Sequence, residues 1–129
     1  MRNLLFVLAM LLAVSCASTV KFPLSSVAPA ADITAVKKTD KHNNFTINVT
    51  AKNLASVDRI APSKKTYVVW VSTKNEGIKN IGQLNVRNAK TSSLKTLTAF
   101  DFDEVIITAE EQGDIMYPSG TEISRTRIK

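Results

Sequence analysis

The chain has 129 residues, with seventeen Lys and Arg against eleven Asp and Glu, and a formal net charge of +6. A single cysteine excludes an intramolecular disulfide, and one cysteine with one histidine cannot supply the three or four ligands of a zinc site. The basic balance suits an anionic partner, but the bases are not clustered with aromatic residues, so nucleic acid is not expected.

The first residues carry the clearest pattern. Met1-Arg2-Asn3 precede an unbroken apolar run from Leu4 to Val14, and the small pair Ser15-Cys16 is followed by Ala17. A charged start, an apolar stretch and small residues at a cut point read as an export signal over residues 1–15. As a helix the run would rise about 16 Å, short of the roughly 30 Å hydrocarbon core, so it is a cleaved leader rather than a permanent span. Ala13-Val14-Ser15-Cys16 resembles the lipobox of bacterial lipoproteins, although Ala13 stands where that family prefers Leu. The resemblance implies cleavage before Cys16 and a lipid anchor on that residue. Ordinary signal cleavage nearby is the alternative. Ala17 is not the Asp that retains lipoproteins at an inner membrane, and Ser18 to Lys21 hold no acid, which points to an outer membrane and its periplasmic side. Residues 16–31 read as the attachment cysteine and a flexible linker, rich in Ala and Ser with Pro23 and Pro29.

The remaining span, 32–129, is enough for one domain. Asp32 to Lys38 has a loose strand pattern, and Phe45 to Lys52 alternates apolar and polar without an error. The polar segment Thr39 to Asn44 between them predicts a hairpin turn. Thr66 to Ser72 is apolar on both alternating sets, which predicts a strand covered on both faces. Lys74 to Gly77 is a turn, Asn80 to Val86 a shorter strand, and Ser93 to Phe100 and Glu104 to Ala109 two more. Tyr117 to Gly120 is a turn signal, and Thr121 to Ile128 a polar strand at an edge. The expected core is Tyr67, Val69, Trp70, Val71, Val105 and Ile107, with Trp70 packed between two sheets. No amphipathic helix stands out. The pattern predicts an all-β fold: an antiparallel immunoglobulin-like β-sandwich of about seven short strands.

Tyr67-Val68-Val69-Trp70-Val71, Ile81-Gly82-Gln83-Leu84, Phe100, Val105-Ile106-Ile107-Thr108-Ala109-Glu110 and Pro118-Ser119-Gly120 together resemble the extracytoplasmic domain of anti-sigma-K-type factors. The resemblance spans residues 62–122. It implies an immunoglobulin-like sandwich outside the cytoplasm, and transfers no functional residue. The sigma-binding domain and transmembrane helix of that family have no counterpart in these 129 residues.

Charge is unevenly spread. Residues 21–95 hold thirteen bases and four acids, whereas residues 96–114 hold six acids and no base. Lys37, Lys38, Lys41, Lys64 and Lys65 read as solubilising lysines at edges and loops. Asp101, Asp103, Glu104 and Asp114 are candidate oxygen ligands for a cation, against the plainer reading of a solvated acidic pole. His42 lies in the polar turn without a catalytic partner, and there is no nucleophile motif. Asn44-Phe45-Thr46 and Asn48-Val49-Thr50 match the N-glycosylation pattern, but follow from a Thr- and Asn-rich strand face.

The sequence therefore predicts a non-enzymatic envelope lipoprotein without a cofactor. It would be held to the membrane through Cys16 and display its domain for interaction with another envelope protein or for a structural role. A ligand- or ion-binding module using residues 101–114, and an extracytoplasmic accessory of an anti-sigma system, are the alternatives.

Overall fold

A computed structural model describes residues 16–129; the leader expected over residues 1–15 lies outside the described residues. The elements are β1 (Cys16–Lys21), β2 (Asp32–Thr39), β3 (Phe45–Lys52), a single 3-10 turn (Val57–Arg59), β4 (Thr66–Thr73), β5 (Ile78–Gln83), β6 (Asn85–Asn88), β7 (Thr91–Thr98), β8 (Phe102–Glu110) and β9 (Thr121–Arg127). They form two antiparallel sheets, β1-β2-β3-β7-β6 and β5-β4-β8-β9. Leaving β1 aside, that is the immunoglobulin order, with strands A, B, E and D against C′, C, F and G. The all-β sandwich is as the alternation predicts. Nine strands replace the expected seven because two segments behave differently from their local pattern.

The first is the expected linker. Cys16–Lys21 pairs along its whole length with β2, from Cys16 opposite Thr39 to Lys21 opposite Thr34. The Phe22 amide continues the ladder to the Ile33 carbonyl (2.9 Å). Phe22, Ser25, Ala28 and Ala31 are buried. Ser25 Oγ accepts hydrogen bonds from the Val27 and Ala28 amides, at 3.1 and 3.0 Å, which shapes a tight turn. Ser124 Oγ donates to the Pro23 carbonyl (3.0 Å), tying the loop to the last strand. The small side chains that suggested flexibility instead let this loop lie against the side of the sandwich. Ser18, Val20 and Phe22 do recur at every second position, a weak strand signal.

The second is Asn80 to Val86. It breaks at Leu84, and its halves belong to different sheets, so the chain turns the corner of the sandwich. The Leu84 amide still reaches the Tyr67 carbonyl (3.0 Å). Gly82, with φ of +135°, supplies backbone that a side chain rarely adopts.

The hairpin between β2 and β3 forms as predicted. Asp40 Oδ1 accepts the His42 and Asn44 amides at 2.8 and 2.9 Å, and Asn43 sits at φ 59°. His42 is an exposed turn residue.

Between the sheets lie Ile33, Ala35, Ile47, Val49, Ala51, Leu94, Tyr67, Val69, Val71, Phe102, Val105, Ile107 and Ile123. All six expected core residues are buried, but Trp70 is not where it was expected. Tyr67, Val69 and Val71 take the inward side of β4. The period of two therefore turns Val68 and Trp70 outward. There they form a separate cluster with Ile106, and Ile115 packs against it.

Lys37 also departs from expectation. It falls in the inward row with Ile33 and Ala35 and is 6% exposed. Its ammonium lies 4.3 Å from the Phe102 ring centre and 5.2 Å from that of Phe45. It donates to Asp101 Oδ1 (2.9 Å) and to the Phe102 carbonyl. This lysine joins the two sheets rather than solubilising an edge.

Candidate functional site

The cluster around Trp70 exists because β8 and β9 are not joined by a tight turn. They are neighbours, yet residues 111–120 separate them. This strap runs out across the outer face of β4 to β5 and back. Asn80 holds its far end: Nδ2 donates to the Gly113 and Ile115 carbonyls, both at 2.9 Å. Glu110 holds its return. The buried carboxylate accepts the Ser119 hydroxyl (3.0 Å) and the Ser119 amide (3.3 Å). Thr108 Oγ1 donates to Glu110 Oε2 and accepts from Trp70 Nε1 (2.8 Å). A chain of hydrogen bonds thus runs from Trp70 through Thr108 and Glu110 to Ser119 and satisfies polar groups that burial would otherwise penalise. Gly120 closes the strap: a Cβ there would lie 1.9 Å from the Ala109 carbonyl oxygen.

Beside the strap, along the free edge of β5, is a groove of about 770 Å³. Ile78, Lys79, Asn80 and Gly82 form one wall, and Gly113 to Tyr117 the other. Met116 and Tyr117 are largely exposed at its rim. Sequence reasoning found the Pro118-Ser119-Gly120 turn but not this groove, because the long β8–β9 connection had no periodic signal of its own.

The four acidic candidates are not gathered. Asp101 pairs with Lys37 (2.9 Å) and Lys74 (3.6 Å). Asp103 pairs with Arg127 (3.2 Å), and Glu104 with Arg125 (3.3 Å). Asp114 lies apart, on the wall of the groove. Among the described residues no three acids, histidines or cysteines converge as a metal would require. The Lys37 hydrogen bond holds the Asp101 carboxyl below the usual carboxylate range, against a smaller opposing effect of burial. The hydrogen bond that Arg125 donates to the Glu122 carboxylate pushes the Arg125 guanidinium upward. Each of Asp101, Asp103 and Glu104 serves as a counter-ion: Asp101 to Lys37 and Lys74, and Asp103 and Glu104 to the Arg127 and Arg125 that β9 brings alongside β8. The acid-rich run was visible in the sequence, and its cationic partners were not, since they lie about twenty or more residues away.

Cys16 is exposed and opens the edge strand β1. Among the described residues, no helix is long and apolar enough to cross a membrane. No family model, curated protein or solved structure matches the chain.

Proposed function

We propose that this protein is a non-enzymatic lipoprotein of a bacterial envelope, exported by its leader and anchored through Cys16, whose sandwich binds another envelope protein. The observation that carries the reading is the position of Cys16. The lone thiol follows the apolar leader directly and is the exposed first residue of a complete sandwich. With β1 in the sheet there is no spacer, so the lipid would hold the domain at the membrane surface rather than clear of it. A periplasm-facing outer membrane suits the residues that follow Cys16.

The partner surface in this reading is the groove beside β5. An edge strand presents unpaired backbone groups, and an extended segment can add to it. Ile78, Met116 and Tyr117 supply exposed apolar contacts next to that edge. Aromatic residues and Met are enriched at such interfaces.

Membrane fractionation tests the anchor. The unaltered protein is expected in the membrane pellet and Cys16→Ser in the soluble fraction. Equal membrane association of the two would remove the lipid reading. Site-specific cross-linking from Tyr117 tests the groove, where a single dominant adduct in the envelope is expected; the absence of any adduct would count against it.

A further inference from the structure

Among the described residues, three exposed lysines that make no ion pair share one face, the outer side of the five-stranded sheet. Of the ion pairs among the described residues, only Lys21–Asp32 (3.6 Å) lies on the outer side of the five-stranded sheet. The outward row of β2 carries Thr34, Val36 and Lys38, that of β3 Thr46, Asn48, Thr50 and Lys52, and that of β7 Ser93, Lys95 and Leu97. Lys38, Lys52 and Lys95 are exposed there and make no ion pair. Arg87 Nε donates to Ser93 Oγ (2.8 Å), which brings a further cation onto the same side. In the middle is a cleft of about 330 Å³ lined by Val36, Lys38, Thr46, Asn48 and Lys95. Two ammonium groups, a hydroxyl and an amide around an apolar floor form a donor set for a phosphate oxygen.

The shape of this face selects among anionic partners. Eight-residue strands about 4.8 Å apart make a surface roughly 26 Å long and 20 Å wide. It presents no exposed aromatic ring on which a sugar could stack, since Phe45 points toward Phe102 between the sheets (ring centres 6.3 Å apart). Leu97, 67% exposed, is its large exposed apolar side chain. Cys16 opens the edge strand of this same sheet. We infer that the outer face of the five-stranded sheet docks flat on a bilayer of anionic phospholipid, with a headgroup phosphate in the Lys38–Lys95 cleft. The orientation rests on the anchored reading above, and leaves the groove beside β5, on the other sheet, turned toward the aqueous side.

The test uses the chain from residue 16 with Cys16→Ser, which contains all nine strands and carries no lipid. It is sedimented with vesicles of phosphatidylcholine alone and with vesicles also containing phosphatidylglycerol. Binding is expected only to the second, and its loss in about 1 M salt, where the screening length falls to about 3 Å. Lys38→Glu, Lys52→Glu and Lys95→Glu combined should lower partitioning roughly a hundredfold or more, and Lys95→Ala alone about fivefold. Arg125→Gln with Arg127→Gln, on the other sheet, should leave it unchanged. Far-UV circular dichroism reports whether each variant folds, and Lys95→Ala preserves a readout if the triple variant does not. Binding to neither vesicle, equal binding to both, undiminished binding by the charge variants, or capture by a soluble acidic polysaccharide without vesicle binding would each overturn the inference. Because the probe protein has no anchor, a negative result here leaves the Cys16 reading standing, and failure of the fractionation experiment leaves this one intact.

Discussion

The outer faces of the two sheets solve the same problem in opposite ways. On the five-stranded sheet, threonines, asparagine and lysines alternate with the core residues, and no described residue lies over them. On the four-stranded sheet, Val68, Trp70 and Ile106 point outward and the 111–120 strap covers them. β3 alternates because one of its faces meets water; β4 is apolar on both because it has a core on each side. A doubly apolar strand therefore signals a covering element as well as a second sheet.

The sharpest way to break this comparison is to remove the covered side chain. Trp70 is fully buried, and its indole N–H is satisfied by Thr108. Trp70→Ala should cost about 3–5 kcal/mol, the range for deleting a large buried aromatic. It also leaves the Thr108–Glu110 hydrogen bonds without their donor at one end. Asn48→Ala, on the open face, should change stability by no more than about 0.5 kcal/mol. Urea unfolding followed by far-UV circular dichroism measures both. Equal effects would mean that the strap does not seal a second core.

The sandwich itself was legible because β3 and β4 carry their burial in their side chains. The hairpin turn was equally plain, since Asp40, Asn43 and Asn44 have specific turn chemistry. What escaped was tertiary. The order Tyr67-Val68-Val69-Trp70-Val71 is apolar in both registers, so local pattern could not say which set faces the partner sheet. β1 was missed because Cys16 to Lys21 is polar and small, and only pairing with β2 makes it a strand. Lys37 looked like its neighbour Lys38, and of the groups that receive it Phe45 lies across the hairpin while Asp101 and Phe102 come from a distant part of the chain. The acidic run was read as a cluster because sequence shows spacing along one strand, while the neutralising arginines sit on the next.

A smaller effect is expected at the contact between the sheets at the Lys37 end. Asp101→Asn removes the counter-ion of a buried ammonium. A fully buried pair broken this way costs about 3–5 kcal/mol. Asp101 is 44% exposed, so about 1–2 kcal/mol is expected. The same substitution should flatten the acid limb of the stability curve. Asp101 has its carboxyl value lowered on folding, chiefly by the Lys37 hydrogen bond. Its contribution is therefore complete above the unfolded value of about 4 and is lost as the pH falls through the lower folded value. Asp40, lowered by the Asn44 and His42 amides, and Asp58, lowered by Ser56, keep the rest of the limb. Unfolding measured near neutrality and at about pH 3 should show the wild type losing more stability than Asp101→Asn. Parallel curves would detach this ion pair from the joining of the sheets.

A smaller loss still is expected where the two sides of β4 contrast within four residues. Trp70 finds its hydrogen bond on the covered outer face, whereas Tyr67 points inward and donates its hydroxyl to the Ala55 carbonyl (2.6 Å). Tyr67→Phe keeps the ring in the core and deletes one hydrogen bond, so about 1 kcal/mol should be lost. Burial, aided by the Asp58 charge, pushes the Tyr67 phenol up to about 12. A value raised on folding means that stability is fully present below the unfolded value of about 10 and disappears as the pH rises through about 12. The wild type should therefore lose its advantage over Tyr67→Phe between those values. An advantage that persists unchanged through that range would place the phenol in water, and would leave β4 without the inward polar contact that distinguishes this side from the strap side.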